Sequence, residues 1–102
     1  MLRGKQKRYL RSQAHHMQPI FQIGKNGVTD EFIRQIDEAL EKRELFKISL
    51  LQNTDELADE AAAVIAEKTQ SEVVQIIGRV IVLYRPSHKE KHQHYSIEVS
   101  RI

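Results

Sequence analysis

Residues 72–85 read EVVQIIGRVIVLYR, two runs of β-branched and aliphatic residues separated only by Gly78 and Arg79. Glycine at the first position of a two-residue connection is what a type II′ hairpin turn requires. The chain is therefore expected to close on an antiparallel strand pair, and everything upstream has to build the sheet that this hairpin joins and the helices that cover it.

Upstream, the hydrophobic period alternates between that of helices and that of strands. KQKRYLRSQAHH, residues 5–16, suits a first helix with Tyr9, Leu10, Gln13 and Ala14 on one side. Pro19 separates it from a short apolar strand, Ile20–Ile23. After GKNG, Thr29 has the chemistry of an N-cap, Asp30 and Glu31 suit the positive first turn, and Val28 can staple onto Ile33. Phe32, Ile33, Ile36, Ala39 and Leu40 then mark an amphipathic helix ending near Arg43. LFKISLL, residues 45–51, reads as a strand. Asn53 and Glu56 are spaced as a capping box for a third, alanine-rich helix running to about Lys68. The order is αβαβαββ, an α+β domain with a four-stranded mixed sheet covered mainly on one face. Residues 1–87 make up this domain. Residues 88–102 are a polar, His-containing tail in which YSIEVSRI alternates as a mobile segment or short edge strand would.

The 102 residues suffice for one ordinary core, and with 40% apolar and 29% charged residues the chain reads as globular. Lack of cysteine excludes disulfides, thiolate metal sites and cysteine nucleophiles, and suits a reducing cytoplasm. The basic N-terminus lacks the apolar run of a signal peptide, and no window is long enough to span a membrane. The formal net charge of +2 conceals an asymmetry. Residues 1–28 carry six bases and no acid, residues 29–72 twelve acids against five bases, and residues 73–102 five bases against two acids. Such separation suits a basic face for a polyanion and an acidic back, and equally an ordinary solvated surface.

GKNG, Gly24–Gly27, is the motif with the most chemical content. Glycine lets a backbone approach a ligand closely, and a turn feeding a helix N-terminus directs free N–H groups outward, where a phosphate is a natural partner. Lys25 would add a point charge and Asn26 a neutral donor and acceptor. In isolation, the same four residues are a strand-to-helix turn. GxxG is also the backbone clamp of KH-type single-strand RNA readers. Here it follows an acid-free basic helix, and Arg79 and Arg85 add charge from the terminal hairpin. His15 and His16 suit the end of the first helix. His88, His92 and His94 lack the partners of a metal site. There is no GxSxG, HExxH or Walker A sequence, and the acids sit at helix-surface spacing. The residues describe a binding protein.

Four segments in unbroken order, KQKRYLRSQAH, PIFQIGKNGVT, IDEALEKRELFKI and VVQIIGRVIVLYRPS, resemble the CRM (chloroplast RNA splicing and ribosome maturation) domain in its free-standing bacterial form, the YhbY-like family. The likeness spans about residues 3–87. It implies a domain similar to the C-terminal domain of bacterial translation initiation factor three, RNA binding, and association with ribosomal RNA or precursors of the large ribosomal subunit. It places the family's GxxG on Gly24, Lys25, Asn26 and Gly27, its basic first helix on Lys5, Lys7, Arg8 and Arg11, and its late arginine on Arg85. The expectation is a non-enzymatic, cytoplasmic RNA-binding protein of ribosome assembly, with neither metal nor cofactor, small-molecule substrate nor membrane, and with ribosomal proteins as further partners. The alternative is a protein–protein adaptor whose acidic helices, residues 30–68, dock a basic ribosomal protein or assembly factor. A small enzyme acting on a phosphorylated ligand through GKNG would need an acid–base partner that the sequence does not supply.

Overall fold

The apolar run VIVLY does not end up at an edge. In the computed structural model, which describes residues Met1–Ile102, it is β4 (Val80–Tyr84), a central strand of a four-stranded sheet. The other strands are β1 (Phe21–Ile23), β2 (Leu45–Leu50) and β3 (Glu72–Ile77), and the order is β1-β2-β4-β3. β1 and β2 are parallel, with Phe21 beside Ile48 and Ile23 beside Leu50, and α2 (Asp30–Arg43) forms the crossover between them. β4 runs antiparallel to both neighbours, opposing Leu45 with its Tyr84 on one side and Glu72 on the other. β2 and β3 thus point the same way but never touch. Gly78 has φ +58°, as the hairpin turn demands.

A continuous apolar run signals a strand buried on both faces, and this corrects the expectation of a sheet covered mainly on one side. Ile81 and Leu83 join Phe46, Ile48 and Leu50 beneath α2 and α3 (Ala58–Thr69), where Ile36, Leu40, Ala61, Ala62 and Ile65 complete the larger core. Val82 and Tyr84 point the other way and meet Leu10 and Ala14 of α1 (Gly4–Ala14), with Leu45, Val74 and Val99. The sheet is the middle layer of three. Leu2 N donates to the Glu72 carboxylate at the start of β3, and Lys47 Nζ to the His15 carbonyl, so α1 crosses the sheet at the end where β1, β2 and β3 begin.

Helix boundaries follow local chemistry with one exception. Thr29 caps α2 as expected, its Oγ1 accepting from Phe32 N at 3.0 Å. The expected capping box at Asn53 does not form. α3 starts at Ala58 with Leu57 as its cap, because Thr54 Oγ1 takes the Glu56 N–H in a separate turn and the Glu56 carboxylate leaves for Val28 N.

Residues 88–102 form neither an edge strand nor a free tail. They make a single 3-10 turn (Glu90–His92) and the short helix α4 (Tyr95–Val99), folded back against α1. The fastener is Glu44, fully buried just past α2 at φ +65°, a conformation costly for anything but glycine. Its carboxylate accepts from Ser87 N (2.7 Å), His94 N (2.8 Å), Ser96 N (3.2 Å) and Ser96 Oγ (2.6 Å). Burial pushes this carboxyl up, but the donors of Ser87, Ser96 and His94 outweigh it and hold the group below the ordinary glutamate range.

Candidate nucleic-acid interface

The residues expected to meet RNA are distributed over three places. Gly24–Gly27 lies at the end of the sheet where β1 and β2 finish. Gly27 N donates to Gly24 O at 3.0 Å, which closes the turn, and Gly27 takes φ +68°, so the second glycine is required by the backbone itself. Lys25 and Asn26 are exposed at the tip. Arg79, in the β3–β4 turn, reaches the same end. Its Nε donates to Leu50 O at 3.1 Å and its Nη2 to Leu51 O, while Leu51 N bonds Ile23 O at 2.9 Å. Arg79 therefore pins the last carbonyls of β2 beside the loop, and its planar fork leaves N–H groups for a further partner.

One neighbour of this loop was not foreseen. A small cleft between GKNG and the following turn is lined by Lys25, Asn26, Gly27, Thr54, Asp55 and Glu56. Glu56 Oε1 accepts from Val28 N at 3.4 Å, and a Cβ placed on Gly27 would stand 2.9 Å from the same oxygen. A carboxylate thus occupies the position where a helix-leading loop offers its N–H groups to an anion. The sequence did carry a signal, since Asn53 and Glu56 have capping-box spacing. The glutamate simply serves the neighbouring helix-leading loop rather than its own helix.

The second place is α1. Lys5 and Arg8 are exposed and Lys7 and Arg11 half-buried. The protein's ion pairs join Glu72 to the N-terminus, Glu31 to Arg34, and Arg85 and His88 to the carboxylates of α2, so these four bases make none. Their charge is uncompensated and stands at the opposite end of the strands from GKNG.

Arg85 is the third place, away from both the loop and α1. It is 8% exposed. Its Nη1 bonds Asp37 Oδ1 at 2.6 Å and Thr69 O at 2.8 Å, and its Nη2 bonds Asp37 O at 3.1 Å and Glu41 Oε2 at 3.0 Å. At the end of the central strand this side chain slots between α2 and the last residue of α3, so it braces two helices. Asp37 and Glu41, one helical turn apart, form the receptacle. Glu41 also accepts from His88 Nδ1 at 2.7 Å. Burial raises its carboxyl, whereas the hydrogen bonds and charge of His88 and Arg85 lower it, and the balance lies below the ordinary value.

Against this geometry stand the resemblances to known proteins. The family model of the CRS1 / YhbY (CRM) domain matches residues 2–85. The "Probable RNA-binding protein YqeI" of Bacillus subtilis is 55% identical over 91 residues, which cover 89% of this chain and 95% of that one. An "RNA-binding protein" of Haemophilus influenzae is 37% identical over 89 residues, covering 87% and 90%. Among solved structures, the solution structure of the hypothetical protein SAV1595 from Staphylococcus aureus matches with a TM-score of 0.74 and 53% identity, over 92% of this chain and 98% of that one.

Proposed function

Because the chain belongs to the CRS1/YhbY (CRM) domain family, we propose that it is a non-enzymatic RNA-binding protein that associates with ribosomal RNA in precursors of the large ribosomal subunit, in the cytoplasm. The observation that carries the reading is the clustering of Lys5, Lys7, Arg8 and Arg11 on α1, without an ion pair and within a stretch, residues 1–28, that has no acid. Unpaired cations held on one helix gain most from a polyanion, because phosphates neutralised by them release condensed counterions. GKNG contributes differently. Lys25 reaches a phosphate from the loop tip, Asn26 a sugar or base edge, and Arg79 offers its remaining N–H groups beside them.

The adaptor alternative draws no specific support. One of its key acids, Glu41, already spends its carboxylate on Arg85 and His88, although Glu38 is exposed.

The test has two levels. RNA affinity measured across salt concentrations should fall steeply, and Lys5→Ala with Arg8→Ala should flatten the log–log slope by roughly 0.7–0.9 per lost phosphate contact. Lys25→Asp with Asn26→Asp should abolish binding while leaving the thermal midpoint nearly unchanged, since both side chains are exposed. Slopes and affinities unmoved by either set would sink the RNA interface. For the cellular role, crosslinked RNA recovered from cells should be dominated by large-subunit ribosomal RNA, and the protein should sediment with immature large-subunit particles. Recovery of other RNAs alone would keep RNA binding and remove ribosome assembly.

A further inference from the structure

We propose that the C-terminal segment completes a second phosphate-binding surface, in which Arg101 joins Arg3, Lys5 and Arg8 around a hollow at the N-terminal end of α1 and takes the phosphodiester backbone of RNA. The inference rests on the RNA-binding reading above. It extends that reading to a residue outside the matched family region, residues 2–85.

The hollow measures about 760 Å³ and is lined by Arg3, Gly4, Lys5, Arg8, Arg101 and Ile102. Four cationic side chains meet there and no acidic side chain does. Lys5, Arg8 and Arg101 make no ion pair, and Arg3 gives one N–H to the Ile102 main-chain oxygen. Gathering like charges raises the energy of the free protein, and an anion in their midst relieves it. An open hollow of this size suits successive phosphates of a polymer, which adds counterion release to the direct attraction.

Arg101 is placed there by packing and hydrogen bonds upstream of it. Val99 is 8% exposed and packs in the α1-side core with Leu10 and Ala14. Gln6 Nε2 donates to Val99 O at 2.9 Å and to Ile102 O at 3.3 Å, holding the chain on both sides of Arg101 against α1. Further back, Glu44 fixes His94 and Ser96. Such fixation lowers the ordering cost of a phosphate contact made from a chain end. The hollow lies at the end of the strands where α1 starts beside Glu72, so an RNA touching both it and GKNG has to reach from one end of the strands to the other.

The experiment is a salt series of binding to a short labelled single-stranded oligoribonucleotide and to a matched RNA duplex, using the full chain. Arg101→Ala should weaken binding several-fold and flatten the log–log slope by roughly 0.7 on the single strand or 0.9 on the duplex, with an unchanged thermal midpoint. Arg101→Lys should restore most of the affinity. Lys68→Ala, an equal loss of charge on exposed α3, should leave the slope unchanged. If Arg101→Ala matches Lys68→Ala while Lys25→Ala or Arg8→Ala still weakens binding, the C-terminal segment takes no part and the proposal is overturned. If inorganic phosphate shifts the amide signals of residues 3–8 and 99–102 but Arg101→Ala leaves RNA affinity intact, the hollow is a small-anion site and the proposal also falls. Absence of RNA binding by the unmodified protein would instead overturn the underlying reading.

Discussion

The two ends of the sheet present anion-seeking features of opposite kind. At the GKNG end, backbone geometry is favourable: a closed turn, a glycine at φ +68° and a capped helix immediately after it. Yet the cleft beside it holds one base, Lys25, with two acids, Asp55 and Glu56, and Arg79 nearby is partly spent on strand carbonyls. At the α1 end there is no glycine-led loop of this kind, but four bases stand together without an acidic side chain. Shape and charge are supplied at opposite ends of the sheet. In the proposed RNA-binding role, long-range attraction would fall to the α1 end and orientation to the loop. Salt should therefore weaken the first contribution far more than the second.

The heaviest blow to this arrangement is Glu44→Ala. It leaves the buried Ser87 N–H and the part-buried N–H groups of His94 and Ser96 without their acceptor, and should cost about 3 kcal/mol in denaturant unfolding. Hydrogen exchange should then show residues 88–102 opening first, and RNA affinity should lose the share contributed by Arg101 while Lys25 stays effective. The same group predicts a pH dependence. Its folded pKa lies below the ordinary 4.5, so its stabilisation is complete above that value and is lost as pH falls through the lowered folded value. Urea midpoints at successive pH values should decline in that acidic window, and the decline should be shallower in Glu44→Gln, the remainder including the share of Glu41, whose carboxyl is also held below its ordinary value.

Arg85→Met comes next, at about 2 kcal/mol, since it strips partners from Thr69 O and from the half-shielded Asp37 and Glu41. RNA affinity under folding conditions should not change. A selective loss of affinity without loss of stability would return Arg85 to the interface. Gly27→Ala should cost about 1 kcal/mol, because a Cβ is introduced at positive φ. It would also displace the Glu56 carboxylate, the flexible group 2.9 Å away. The smallest effect carries a diagnostic sign. Glu56→Gln should tighten RNA binding a few-fold at low salt, because it removes the negative charge that stands beside the Val28 N–H where a phosphate would approach. Weaker binding would mean that Glu56 serves the interface as a brace.

Most of the layout was legible because it is local. Thr29 as cap, the crossover between two short strands and the glycine-led hairpin each follow from a few adjacent residues. What could not be read was set by contacts across the chain. The unbroken apolarity of residues 80–84 pointed to burial on both faces, but the cover on the second face comes partly from Val99, whose alternating context resembles a strand. Arg85 looked like a surface base because its partners, Asp37 and Glu41, lie more than forty positions away. Glu44 at positive φ could not be foreseen, as local preference would put glycine there, and only the distant donors of residues 87–96 justify a glutamate. The candidate interface was legible as composition, through six bases and no acid in the first quarter, but not as geometry.

The central position of β4 also constrains how the protein is made. Leu45 waits for Tyr84 and Ser49 for Val80, so β2 has no antiparallel neighbour until the chain has been extended by a further thirty-odd residues. During synthesis from the N-terminus, β1 and β2 can pair as a half-sheet with an open apolar edge, while β3 has no partner until β4 follows it, so closure depends on the β3–β4 hairpin. A chain stalled before Val80 would present that edge to its neighbours, so the sheet cannot close until β4 has been made.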